Sequence, residues 1–191
     1  MKKIALATKP FQIGVFGSGK VGRGIYKLAF DVGWEIAQQG HIVINGGLTG
    51  VMEASAHGCA KAGGLVIGIL PGTDFAEGNQ YSTVKIVTGM RYARNTINGL
   101  SCHGAIVVGG SSGAYEEARR VWEGRGPVVV LEGSGSNTGA AATMIDRQEA
   151  CGISFPEDKS KPYRIFVAQG PREAVAAVVK LIRKGYPHDN V

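Results

Sequence analysis

The chain has 191 residues, of which 44% are hydrophobic, enough to bury a core without disulfides or metal. Its net charge of +6 favours an anionic partner, but the lysines and arginines are scattered and no basic stripe carries interleaved aromatics. That points away from nucleic acid and towards a small phosphate-bearing molecule. Three cysteines, Cys59, Cys102 and Cys151, are odd in number and far apart, which excludes a disulfide framework or a CxxC metal pair and reads as reduced thiols of a cytoplasmic protein. Met1 to Gln12 holds only a four-residue apolar run, too short for a signal-peptide core, and nothing approaches a membrane span.

Taken in chain order, short apolar runs alternate with helical patterns. Ile13 to Phe16 predicts the first strand. Val21, Ile25, Leu28, Ala29, Val32 and Ile36 then recur at helical spacing, so a helix runs to about Gln39. His41 to Ile44 is a second strand, Gly50 to Ala62 a second helix and Leu65 to Leu70 a third strand. A polar loop follows from Pro71 to Ser82. Val84 to Val87 is a short strand. Met90, Ala93, Ile97 and Leu100 predict the buried face of the next helix. Ala105 to Val108 is a strand, Gly113 to Glu123 a helix and Val128 to Leu131 a strand. Glu132 to Gly139 is a glycine- and serine-rich loop, followed by a helix over Ala140 to Ala150. Arg164 to Val167 is the last strand, and Pro171 to Lys184 the last helix, with proline in its first turn.

Strands of four to six apolar residues alternating with helices predict βαβ units. The fold class is therefore α/β: a Rossmann-like, doubly wound, mainly parallel sheet with helices on both faces, spanning residues 1–191 as one domain. Ligands of such sheets bind at the carboxyl ends of the strands, so the loops after Phe16, Ile44, Val87 and Val108 matter most.

Three of those connections are rich in glycine. The first, Gly17-Ser18-Gly19-Lys20-Val21-Gly22, satisfies GxGxxG between a strand and a helix. The acidic residue that should bind a ribose hydroxyl about twenty positions on is missing, because the second strand ends at Asn45. Val21 also stands where a P-loop needs the Ser or Thr that holds magnesium, which excludes a nucleoside triphosphatase. The second loop is Asn45-Gly46-Gly47-Leu48-Thr49-Gly50. The third is Gly109-Gly110-Ser111-Ser112-Gly113. Each precedes a helix whose N-terminal amides can meet an anion. Several such loops at one sheet edge are better explained by an anionic ligand than by turns alone. His57 and His103 have no partners at metal spacing, so no metal site is expected.

At these residues the chain resembles the Lonely Guy phosphoribohydrolases, once called lysine decarboxylase-like. The third loop, continued by Ala114-Tyr115-Glu116-Glu117, resembles their PGGxGTxxE motif. Thr88 to Asn95 resembles the arginine-bearing segment before it, and Asn45-Gly46-Gly47 with Gly50 to Ala54 resembles their second glycine loop. Gly68 to Gly72 also fits. Within that superfamily, Ala93-Arg94-Asn95-Thr96 and Val130 to Gly135 are more similar to the molybdenum cofactor carrier proteins. The resemblance implies a Rossmann-like sheet, a homo-oligomer (dimer or tetramer) and a phosphate-bearing pterin or nucleotide. Gly17, Ser18, Gly19, Gly46, Gly47, Thr49, Arg94, Asn95, Gly109, Gly110, Ser111, Ser112, Gly113 and Glu117 would hold it.

Three departures weigh against hydrolysis. Val108 replaces the motif's proline, one extra residue lies between Gly110 and Gly113, and Ala114 replaces its threonine. On a helical wheel Tyr115, Ala118, Val121 and Trp122 form the buried arc. Glu117 lies at its edge, which favours it over Glu116 as the site carboxylate, the alternative being a partly exposed structural carboxylate. Glu116 lies nearer the opposite side, four residues from Arg120, where a surface pair is expected. Trp34 and Trp122 read as packing or subunit contacts. The function expected first is carriage of the molybdenum cofactor (molybdopterin) as cargo. The alternatives are a nucleoside 5′-monophosphate phosphoribohydrolase using Arg94 and Glu117 on the ribosyl bond, and a nucleotide-sensing module without catalysis.

Overall fold

The computed structural model describes residues 6–124, 126–131 and 166–185. The glycine- and serine-rich loop over 132–139 and the helix over 140–150 lie outside them. Seven strands form one sheet: β1 (Gln12–Gly17), β2 (Ile42–Asn45), β3 (Leu65–Leu70), β4 (Val84–Val87), β5 (Gly104–Val108), β6 (Val128–Leu131) and β7 (Phe166–Ala168). Among the described residues five α-helices accompany them: α1 (Arg23–Gln38), α2 (Val51–Lys61), α3 (Arg94–Leu100), α4 (Ser112–Glu123) and α5 (Pro171–Lys184). The spatial order is β4-β3-β2-β1-β5-β6-β7 and every pairing is parallel. Strand order reverses between β1 and β5, so the sheet's switch point lies there, where doubly wound folds take ligands.

The central strands are apolar throughout because helices cover both faces. All four residues of β6 and all five of β5 are buried. Alternate side chains serve opposite layers. Ile13 and Val15 of β1 with Ile106 and Val108 of β5 pack in the layer that includes α1, α2 and α5. Phe16 with Ala105 and Val107 packs under Ala118, Val121 and Trp122 of α4. On the edge strand β4, Val84 and Ile86 stay exposed.

The segment after β4 departs from the sequence reading. A 3-10 turn at Arg91–Ala93 leads into α3, and the helix buries its polar side: Arg94, Asn95, Asn98 and Gly99. Of the expected core face, Met90 and Leu100 are 46% and 56% exposed, Ala93 is exposed and Ile97 half-buried, and Tyr92 beside them is 85% exposed. Periodicity located the helix but not the side that packs, because a buried polar network on α4 attracts the hydrogen-bonding side chains of α3.

Candidate functional site

The loops after β1, β2 and β5 meet at Gly17. A Cβ there would collide with the Val108 carbonyl at the end of β5 and with Val51 at the start of α2, so only glycine lets the three connections close together. Hydrogen bonds lock the first two loops to each other. Thr49 Oγ1 donates to the Gly19 carbonyl at 2.9 Å, and the Val51 amide donates to the Ser18 carbonyl at 3.0 Å. The Ser18 hydroxyl folds back on its own loop, accepting from the Lys20 amide at 3.2 Å.

Below the second loop lies Asn45, fully buried at the end of β2. Its Oδ1 accepts from the Gly47 amide at 2.8 Å, and its Nδ2 donates to the Met52 carbonyl and Ser55 hydroxyl. The expected ribose-binding acid is absent because this position shapes the glycine turn instead. From the far side Asn79 reaches in from the β3–β4 loop. Its Nδ2 donates to the carbonyls of Gly47 and Leu48 at 3.0 and 2.9 Å, while its Oδ1 accepts from the amides of Tyr81 and Ser82. Asn79 therefore staples two loops together.

The third loop turns at Gly109, where φ is 71°, and Ser111 caps α4 by accepting the Ala114 amide at 3.2 Å. Gly113 sits near the Asn95 side chain. The Ser112 hydroxyl opens the first turn of the same helix.

Arg94 and Glu117 come together. Arg94 Nη1 donates to Glu117 Oε1 at 2.7 Å and to Asn95 Oδ1 at 2.9 Å, and Asn98 Nδ2 donates to the same Glu117 oxygen at 2.5 Å. Both side chains are under a tenth exposed. Burial pushes the Glu117 carboxyl above its ordinary range, against the pull of Arg94 and Asn98. The guanidinium also lies beneath the second loop: a Cβ on Gly46 would stand 2.5 Å from Arg94 Nη2. Glu117 is thus a sealed carboxylate, where the wheel placed it at the edge of the core, because α3 packs over α4. Glu116 is not paired with Arg120; it accepts from Asn95 Nδ2 at 2.9 Å, and Arg120 pairs with Glu123 at 2.7 Å.

The structure thus gathers every residue expected from the sequence at the carboxyl edge of β1, β2 and β5 or directly under it. It adds Asn45, Asn79 and Asn98. Only Asn45 had a local signal, standing at a strand end before paired glycines. Among the described residues no cluster of His, Cys, Asp or Glu could hold a metal ion, and no helix is long and apolar enough to cross a membrane.

Parallel strands, glycine loops ahead of helices and a switch point at β1 and β5 define a protein of the Rossmann-like α/β class. The model of the SLOG cluster4 family matches residues 10–174, and the chain belongs to that family. An uncharacterized protein of Archaeoglobus fulgidus is 44% identical over 130 residues, 64% of this chain and 85% of that protein. Two solved structures are similar over nearly their whole length. The molybdenum cofactor binding protein of Rippkaea orientalis has a TM-score of 0.75 at 27% identity, covering 91% of this chain and 98% of that one. The Moco carrier protein of Chlamydomonas reinhardtii also has a TM-score of 0.75, at 30% identity, covering 92% and 99%. The motif resemblance to the carrier branch is therefore matched in three dimensions.

Proposed function

We propose that this protein carries a phosphate-bearing cofactor, the molybdenum cofactor, without transforming it. The observation that carries the reading is the setting of Glu117, which is buried and already engaged by its own neighbours, Arg94 and Asn98. Cleavage of a ribosyl bond needs a charged carboxylate aimed at the positive charge that develops on the sugar. A carboxyl sealed under two loops and engaged by its own neighbours does not offer that. Binding asks less. The amides of Gly109 to Gly113 at the start of α4, with Ser18, Gly19 and Thr49 opposite, would take the phosphate. Arg94 would act from beneath, holding the loops in place. Similarity to cofactor carriers over nearly the whole fold supports the same reading.

The test is to purify the protein from cells that make the cofactor, identify the co-purifying small molecule by mass spectrometry, and measure release of free base from nucleoside 5′-monophosphates. A pterin phosphate with no base release is the expected result. Robust base release that vanished in Glu117→Gln would establish the phosphoribohydrolase instead.

The assembly we propose is a homo-oligomer formed through the exposed apolar side chains of β4, the 3-10 turn and α3: Ile86, Met90, Tyr92 and Leu100. Light scattering should give a dimer or tetramer at micromolar concentration, and Tyr92→Glu with Leu100→Glu should give monomers. A wild-type monomer would sink this arrangement.

A further inference from the structure

Where the first glycine loop runs into α1, on the helical layer formed by α1 and α2, the described residues line an open cavity of about 380 Å³, within the size range of small-molecule sites. Its walls are Val21 of the first loop, Tyr26 and Phe30 along α1 and His57 of α2, and its rim carries Arg23 and Lys27. The aromatic groups hold one another in place. Tyr26 Oη and His57 Nδ1 share a hydrogen bond of 3.3 Å, His57 stacks on Tyr81 at 4.2 Å, and Phe30 stands edge-on to His57 at 5.0 Å. Lys27 is paired with Asp31 at 2.5 Å, which leaves Arg23, among the described residues, as the cation at the mouth.

Gly22, the last glycine of the first loop's motif, also lines this cavity. Its φ of −77° and ψ of 170° suit any residue, its amide-capping position would be better filled by Ser, Asn or Asp, and a Cβ there would meet nothing within 4 Å. The fold does not require glycine at this point. What glycine does is leave the cavity mouth open. Gly24, one turn position further on, is equally unconstrained although alanine is the better helix former.

We infer that this cavity is a second binding site, for a flat aromatic ring carrying a negative group: the ring lies among Tyr26, Phe30 and His57, and the charge meets Arg23 at the first turn of α1. The inference does not rest on the carrier reading: the cavity shares the first glycine loop through Val21 and Gly22, but Ser18, Gly19, Thr49, Arg94 and the third loop take no part in it.

The probe is 1-naphthalenesulfonate, which carries ring and charge but no phosphate, titrated into the full-length protein and followed by two-dimensional amide NMR. Saturable one-site binding is expected, with shifts at Val21, Gly22, Arg23 and His57, weakened tenfold or more in both Gly22→Asn and Arg23→Glu. Gly22→Asn adds a better helix cap, so its thermal midpoint should equal or exceed that of the parent protein even as binding is lost. Absence of binding overturns the inference, as does affinity unchanged by Gly22→Asn, or sulfate alone reproducing the shifts. Shifts confined to Tyr92 and Leu100 would place the probe on the exposed apolar face instead. An oligomer that Gly22→Asn dissociates would make the cavity a subunit contact, and either result refutes the site.

Discussion

Replacing Arg94 by methionine keeps the length and packing of the side chain and removes the charge under the glycine loops. The structure sets the size of the effect. The ion pair is 2.7 Å long with side chains 9% and 8% exposed, and removing one partner of such a buried pair costs about 3–5 kcal/mol because the other charge is left without compensation. For a domain of this length that corresponds to a fall in Tm of roughly 6–20 °C, at about 2–4 °C per kcal/mol. The pH dependence gives a sharper signature. Burial already holds the Glu117 carboxyl above its ordinary range, and Arg94 opposes that shift. A folded pKa above the unfolded value of about 4.3 means that the group's contribution is fully present below that value and is lost as pH rises through the folded pKa. Without Arg94 the folded pKa climbs further, so the loss extends to higher pH. The deficit of Arg94→Met against the parent protein, measured by urea denaturation, should therefore be small near pH 4 and grow steadily to pH 8. A deficit below about 1 kcal/mol at pH 8, or one that shrinks with rising pH, would refute the coupling of Arg94 to Glu117.

Gly46→Ala should destabilise by about 1–3 kcal/mol through overpacking against the Arg94 guanidinium, and the penalty should fall in the Arg94→Met background; equal penalties in both would show that the two residues do not meet. Asn79→Asp keeps the acceptor that serves Tyr81 and Ser82 but turns the donor facing Gly47 and Leu48 into a second acceptor; hydrogen exchange at the loop amides 46–50 should accelerate, and unchanged protection would dismiss the staple. Cys59, whose thiol burial pushes up to about 12, and Cys102, raised further by burial with Glu117 nearby, should both survive alkylation of the native protein at pH 8; modification of either, located by peptide mass mapping, would contradict the packing around it.

Much of this was legible from residue order because the information was local. The apolar run at Leu65–Leu70 coincides with β3, since a strand covered on both faces must be apolar along its length, and Val84–Val87 coincides with the edge strand β4. Helix α1 begins at Arg23, two residues inside the predicted start, because Gly22 takes the cap and Val21 belongs to the loop. The glycine loops declared themselves by position, following strands and preceding helices. Asn79 and Asn98 did not, because the partners that tie them to the site lie 32 and 19 residues away in sequence, and the local turn of Asn79 with Tyr81 and Ser82 gives no sign of them. Glu117 shows the same limit. Its wheel position placed it at the edge of a buried arc, and only the packing of α3 over α4 closed the solvent side.

Helix α3 joins these observations. Its seven residues expose Leu100 and bury an arginine and two asparagines, the reverse of what hydrophobic burial alone selects. Desolvating Arg94 and Glu117 costs several kcal/mol per ion, so the arrangement persists only because the network returns charge-assisted hydrogen bonds at 2.5–2.9 Å. In exchange, one guanidinium touches both sides of the cleft: it lies beneath Gly46 of the second loop and holds Glu117 of α4, whose first turn follows the third loop. The two loops cannot shift independently while that contact stands. A ligand that reaches both would meet donors already held in place and lose less ordering entropy on binding, which is what a carrier requires of a site that does no chemistry. The apolar side of α3 then falls to the subunit contact, so the same reversal that preorganises the proposed site supplies the surface for the proposed assembly.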